Sequence, residues 1–278
     1  MPAGVLVALL LAPTPALAAS SRVAALQVAL RAHDVYDGAV DGIDGPGTRA
    51  GVRRIQRRAG LEVDGVVGPR TRRALGRHGK HPYGSRPMRE GHRGWDVAAL
   101  QFALQTRGFP CGGVDGGFGG RTEAAVRRAQ AFYGLPVDGV AGPATLAALR
   151  RAPVRAPALR RPIDAPLGDR YGPRGAGFHA GLDFPAPSGA PVTAAASGRV
   201  SFAGYDDGWG RTVVLDHGNG LRTRYAHLST ITVDPGASVA VGALVGRVGA
   251  TGSATGPHLH FEVTVRGANA DPAPALGL

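Results

Sequence analysis

The spacing of hydrophobic positions changes near the middle of the chain. In the first half it is helical: Val23, Leu26 and Leu30 fall on one stripe. A second helix is predicted over 48–59, stopped by Gly60 as a C′ glycine. A third starts at Pro69, where proline suits the first turn, and ends near Leu75. Asp-Gly pairs mark the turns between them. The unit then recurs. Val23-Ala-Ala-Leu-Gln27 returns as Val97-Ala-Ala-Leu-Gln101, Val63-Asp-Gly-Val66 as Val137-Asp-Gly-Val140, and Gly68-Pro69 with Thr71 as Gly142-Pro143 with Thr145. The copies align without a gap and more than half of their positions are identical, which means tandem domains rather than one core.

In the last third the period falls to two. Short alternating or apolar runs at 191–194, 198–202, 211–215, 239–241 and 243–248 are separated by glycine, the pattern of antiparallel strands in a sandwich or barrel-like assembly. Asn219-Gly220 predicts a hairpin pairing 212–216 with 221–225. His258-Leu-His-Phe-Glu-Val-Thr-Val265 reads as a half-buried strand with Leu259, Phe261 and Val263 turned to the core. The chain is therefore multidomain: two small all-α three-helix domains followed by an all-β antiparallel domain. The boundaries are repeat 1 at 19–76, a linker at 77–93, repeat 2 at 94–150, a Pro/Ala/Arg-rich extended linker at 151–164 and the β domain at 165–275.

Residues 1–18 have the form of a signal peptide. Gly4-Val-Leu-Val-Ala-Leu-Leu-Leu-Ala12 is too short an apolar run to span a bilayer, and Ala16-Leu-Ala18 precedes a cut, although the positive n-region is missing. No other stretch is long enough to cross, so the expectation is a secreted protein. The net charge is +12, carried by arginine with Lys80 as the only lysine, which favours anionic polymers. Nucleic acid is set aside, since no nucleic-acid motif is present and aromatics are few. Cys111 is the single cysteine, so an internal disulfide is excluded. The sequence carries no reading of oligomeric state.

Candidate chemistry gathers in the β domain. Side chains two apart on a strand share a face, so His258, His260 and Glu262 look into one space. A metal at about 2.0–2.1 Å from a ring nitrogen takes one of the two histidines and leaves the other beside it. His179 and Asp183 are four apart, but Gly177, Gly181 and Pro185 argue against a helix and for a bent loop entering a strand. His227 ends another alternating stretch, and His217, at the hairpin turn, reads as structural. Glu262 is either an alternative base or a carboxylate supporting a ligand. Histidines with a carboxylate and one position open to water make a hydrolytic zinc centre.

This region, from roughly 165 to 272, resembles the lysostaphin-type (LytM-like) zinc metallopeptidases of bacterial cell walls. The resemblance rests on Phe178-His-Ala-Gly-Leu-Asp-Phe184, Gly198-Arg-Val-Ser-Phe-Ala-Gly204, Gly208-Trp-Gly210, Asp216-His-Gly-Asn-Gly220, Tyr225-Ala-His-Leu228 and Thr251-Gly-Ser-Ala-Thr-Gly-Pro-His-Leu-His-Phe-Glu-Val263. It implies one zinc ion held by His179, Asp183 and His260. It implies that His227 and His258 orient the water, accept its proton and stabilise the oxyanion. It also implies two sheets with a narrow groove, bordered by loops such as 204–210. The repeats resemble three-helix peptidoglycan-binding domains through Asp41-Gly-Ile-Asp-Gly-Pro-Gly-Thr48, with Gly120 replacing the proline in the second copy. Calcium at Asp37, Asp41 and Asp44 is set aside because the spacing is wrong for an EF-hand loop. The expectation is a secreted, wall-associated zinc metalloendopeptidase acting on peptidoglycan, anchored by two wall-binding domains, with anionic wall polymers as further partners. The alternative is a non-catalytic activator of other wall hydrolases, against which the intact metal positions argue.

Overall fold

The structure, a computed structural model, describes residues 19–175 and 177–278. The predicted export segment 1–18 lies outside the described residues. Repeat 1 comprises α1 (Ser21–Ala32), α2 (Pro46–Arg58) and α3 (Pro69–Ala74), followed by a 3₁₀ turn, Gly76–Gly79. Repeat 2 comprises α4 (Trp95–Thr106), α5 (Gly120–Tyr133) and α6 (Pro143–Ala148). Helix α2 begins at Pro46, two residues before the predicted start, because proline at the first position has no N–H to leave unpaired. Its predicted stop holds: Gly60 has φ +64°. Among the described residues no helix is long and apolar enough to cross a membrane.

Each repeat is built from one device used twice. Buried Gln27 places its Nε2 within 2.7 Å of Asp41 Oδ1, 3.1 Å of the Ile43 carbonyl and 3.2 Å of Thr48 Oγ1, and its Oε1 accepts from the Gly42 N–H. Gln56 does the same with Asp64, Val66, Thr71 and Gly65. Gln101 and Gln130 repeat it in the second copy, with Asp115 and Asp138. The Asp-Gly turn is thus tied to the preceding helix by a buried amide, and the following helix by its Thr. The two repeats also share a core. Ala24, Ala25 and Val28 of α1 pack on Ala98, Ala99 and Phe102 of α4, where small side chains let the helices approach closely. Residues 88–94 belong structurally with repeat 2, since Met88 and Ala141 exchange backbone hydrogen bonds and Gly94 N–H donates to Gly116.

The β domain holds β1 (Gly172–Arg174), β2 (Gly177–His179), β3 (Leu182–Pro185), β4 (Pro191–Thr193), β5 (Gly198–Asp206), β6 (Gly210–Asp216), β7 (Leu221–Ile231), β8 (Ser238–Val239), β9 (Leu244–Val248), β10 (His258–Val265), β11 (Ala268–Ala270) and a short α7 (Pro272–Ala275). Every pairing is antiparallel. Among the described residues there are two sheets, of unequal size: β1–β2 is a small separate hairpin, and the other nine strands form one continuous sheet. That sheet branches at β7. Residues 221–226 of β7 pair with β10, and residues 228–231 pair with β9. The predicted hairpin is present, with Leu215 opposite Thr223 and both Asn219 and Gly220 at positive φ. Leu182, Phe184, Val213, Leu215, Tyr225, Leu259, Phe261 and Val263 are buried in the core beneath the site. Full burial of such a side chain contributes roughly 1.5–3 kcal/mol.

Candidate metal centre

Strands β3, β7 and β10 lie side by side, and this brings the predicted residues together. Asp183 of β3 pairs in register with His260 of β10, and His260 pairs with Ala226, next to His227 of β7. Because Leu259, Phe261 and Val263 are drawn into the core, His258, His260 and Glu262 face the other way. His179 ends β2, a strand rather than the predicted loop. Gly181 then lies so close to the Phe261 carbonyl that a Cβ would collide with it, and this turns the chain into β3.

Three donor atoms converge. His179 Nε2 lies 3.1 Å from Asp183 Oδ1 and 3.1 Å from His260 Nδ1, and His260 Nδ1 lies 2.7 Å from Asp183 Oδ1. Four ligands around zinc at about 2.0–2.1 Å stand about 3.3 Å apart, so the donors need to spread by only a few tenths of an ångström. The outer ring nitrogens are already held. His179 Nδ1–H donates to the Arg170 carbonyl at 2.9 Å, and His260 Nε2 lies 3.3 Å from Glu262 Oε1. Carbonyl or carboxylate support behind a ligating imidazole fixes its tautomer and raises its basicity. The donor set fits zinc.

His227 and His258 stand beside this cluster with ring centroids 4.8 Å apart. His227 Nδ1–H donates to the Thr251 carbonyl and His258 Nδ1–H to the Gly256 carbonyl, each at 2.8 Å. A carbonyl can only accept, so in both rings a proton sits on Nδ1, and in the neutral tautomer this fixes, Nε2 is the nitrogen that can accept a proton. His258 Nε2 is 3.7 Å from Asp183 Oδ1. His227 has φ +61° and its N–H is held by the Trp209 carbonyl, a strained backbone at the point where β7 changes partner. His217 points elsewhere, bridging the Ser197 carbonyl and Thr223 Oγ1, as its structural reading predicts.

Burial shapes the charges. Burial pushes the His227 imidazole below its ordinary range, against the raising effect of the Thr251 carbonyl, with His258 and His260 adding to the depression. Burial also opposes ionisation of Asp183, but hydrogen bonds from His179 and His260 overcome it and hold the carboxyl well below the usual range. For His260 burial lowers the value, while Asp183 and Glu262 outweigh it and raise it.

Two side chains escaped the sequence reading of roles. The Trp209 ring stacks 4.8 Å from His260, and Arg224 lies 5.4 Å over Trp209. Arg224 also reaches Glu262 Oε2 at 3.4 Å and Asp206 Oδ2 at 2.5 Å, so Glu262 is held between His260 and a guanidinium. Gly208-Trp-Gly210 was a visible signal for Trp209, whereas Arg224 sat among ordinary strand arginines. The cluster opens into a groove of about 1000 Å³ bordered by the 207–209 and 253–257 loops.

A β domain that gathers two histidines and an aspartate in one groove, with two further histidines beside them, has the donor set of a metallopeptidase. Residues 177–272 match the profile of Peptidase family M23, and residues 19–75 and 93–149 each match a peptidoglycan binding domain. The C-terminal domain is thus a peptidase family M23 (LytM-like) domain, and two peptidoglycan binding domains precede it. It is 44% identical over 95 residues to the DD-carboxypeptidase/endopeptidase Mpg of Neisseria meningitidis, covering 34% of this chain and 22% of that one. It is 46% identical over 89 residues to the peptidoglycan DD-endopeptidase ShyA of Vibrio cholerae, covering 32% and 21%. The chain thus spans about a fifth of the length of these curated relatives. Among solved structures, the catalytic domain of lysostaphin from Staphylococcus simulans is 36% identical, covering 41% of this chain and 93% of that one, with a TM-score of 0.39.

Proposed function

We propose that the protein is a secreted zinc metalloendopeptidase that hydrolyses peptide bonds of bacterial peptidoglycan and is anchored there by its two repeats. The observation that carries this is the convergence of His179 Nε2, Asp183 Oδ1 and His260 Nδ1, flanked by His227 and His258, whose Nδ1–H groups are each tied to a backbone carbonyl. One zinc ion in this donor set supplies Lewis acidity and a nucleophilic water near neutral pH. His179, Asp183 and His260 are its ligands. His227 or His258 accepts the water proton at Nε2 and returns it to the leaving amine, while the other donates toward the developing oxyanion once protonated. Glu262, backed by Arg224, keeps His260 turned toward Asp183 and is a positioning residue, not the base. The names of the relatives favour a bond between two D-residues of a cross-link.

Mass spectrometry of fragments released from purified sacculi and from defined muropeptides tests this, together with zinc content. The expected products are cross-linked muropeptides split at the D,D bond. Stoichiometric zinc with no released fragment would sink the proposal in favour of a non-catalytic activator.

A further inference from the structure

Part of the groove wall comes from outside the peptidase domain. Pro110, in the turn after α4, lines the groove together with Asn269 of β11 and Ala180 beside His179. Behind this contact lies a packed interface. The Asn269 N–H donates to the Gly108 carbonyl at 2.8 Å. Ala268 is fully buried in the apolar core of repeat 2 with Leu104, Phe109 and Ala129. The Arg266 guanidinium lies 4.8 Å over the Phe132 ring, and Arg128 holds the Pro110 carbonyl in place. Gly108 has φ +87°, and a Cβ there would collide with the Asn269 carbonyl, a backbone atom that cannot swing aside. A domain that only tethers an enzyme works through a flexible joint that leaves the groove alone. Repeat 2 is instead docked on the strand that runs back from β10, the strand carrying His258 and His260.

We propose that repeat 2 is a wall of the substrate groove and that Pro110 is a specificity-determining residue contacting the peptide, an inference that rests on the peptidase reading above. Proline presents a rigid apolar face and no N–H, so the position it covers takes a small apolar side chain, such as an alanine methyl, in preference to a charged one. Gly108 and Asn269 are positioning residues that act through this wall.

Two glycines in the loop between α4 and α5 allow a matched test in the full chain. Gly108 and Gly112 have nearly the same φ, +87° and +89°, but only Gly108 meets β11. Gly108→Ala should speed hydrogen exchange at the Asn269 amide, keep stoichiometric zinc, and raise KM for a small soluble muropeptide about tenfold with a smaller change in kcat, the signature of lost uniform binding. Gly112→Ala should leave all three readings within about twofold of wild type, because it carries the same cost of a positive φ and no contact with β11 is lost. Pro110→Asp should raise KM for the same substrate without freeing the Asn269 amide. A merely destabilised protein would instead lose apparent kcat at constant KM. An exposed Asn269 amide in Gly108→Ala with unchanged KM would overturn the proposal, as would an unprotected Asn269 amide in the wild type. Wild type with no turnover of any peptide refutes the peptidase reading instead. That case is told apart because zinc content and amide exchange are read without substrate.

Discussion

At the scale of single residues, the five groove side chains divide into two sets by which atoms they have free. His179, Asp183 and His260 point donor atoms at one another, and removing any one leaves two. His179→Ala, Asp183→Ala and His260→Ala should therefore bind zinc weakly or not at all. His227→Ala and His258→Ala should keep stoichiometric zinc and lose roughly 10²- to 10⁴-fold in rate, the range for a positioned acid–base group. Metal analysis on folded protein beside muropeptide turnover separates the sets, and an empty site in His258→Ala would reverse the assignment within the His-x-His pair. Zinc affinity should also depend on pH with a definite sign. His260 is raised above its ordinary value, so in the metal-free protein a proton already competes with zinc somewhat above pH 6.5. Affinity measured against a chelator should climb as pH rises through that region and level off beyond it, whereas Asp183, ionised throughout, contributes no slope there. Most of this was legible in the sequence, because period two on one strand dictates that His258 and His260 share a face. Which of them faces Asp183 was not legible from that spacing, and only the resemblance pointed to His260. That depends on Asp183 lying opposite His260, a register set by β3 pairing with β10 from far away in the chain.

At the scale of elements, the helical repeats owe their turns to buried amides. Gln101 is 1% exposed, and its Oε1 accepts from the Asp115 and Gly116 N–H groups at 3.1 and 2.8 Å. Gln101→Leu keeps the volume and the apolar surroundings but strands those donors. The cost should be about 1–3 kcal/mol, the desolvation penalty of a buried unsatisfied group. Thermal melting of the full chain should show the loss in the helical signal with zinc content unchanged. The Asp-Gly turns themselves were readable from composition, since glycine supplies the positive φ. The glutamines were not, because one polar residue in an apolar helix reads as a surface position until the loop folds back over it. His217, half-buried at the hairpin turn, is also a connector. Thr223 Oγ1, its partner, lies 2.9 Å from the Tyr225 hydroxyl, which in turn accepts from the Ala195 N–H. His217→Ala should lower stability by about 1–2 kcal/mol through the two lost hydrogen bonds and spare turnover. Cys111 is embedded beside Gln101, and burial pushes its thiol up to about 12. At pH 8 it should resist alkylation in the folded chain and react only after denaturation, as mass shifts would record.

At the scale of the whole molecule, two kinds of force act over different ranges. The contacts between repeats, and between repeat 2 and β11, are short-range: alanine faces, the buried Ala268 and backbone hydrogen bonds. None of this was legible in the sequence, because an alanine face on a helix and a lone Ala268 carry no address for their partners. The net charge of +12 acts at long range and was legible from composition alone. Salt distinguishes the two. The Debye length falls from about 10 Å at 0.1 M to about 3 Å at 1 M, which removes attraction to an anionic polymer but scarcely touches apolar packing or a buried metal site. Retention of the full chain on purified cell walls should therefore drop steeply between these salt concentrations. Its kcat and KM on a small uncharged muropeptide should change little, because repeat 2 stays docked. A co-sedimentation series run beside soluble-substrate kinetics reads both. If KM on the soluble substrate rose in step with the loss of wall binding, the dock between repeat 2 and β11 would be held by charge after all. If wall retention ignored salt, the arginine excess would have no part in anchoring, and the repeats would grip the wall through neutral contacts alone.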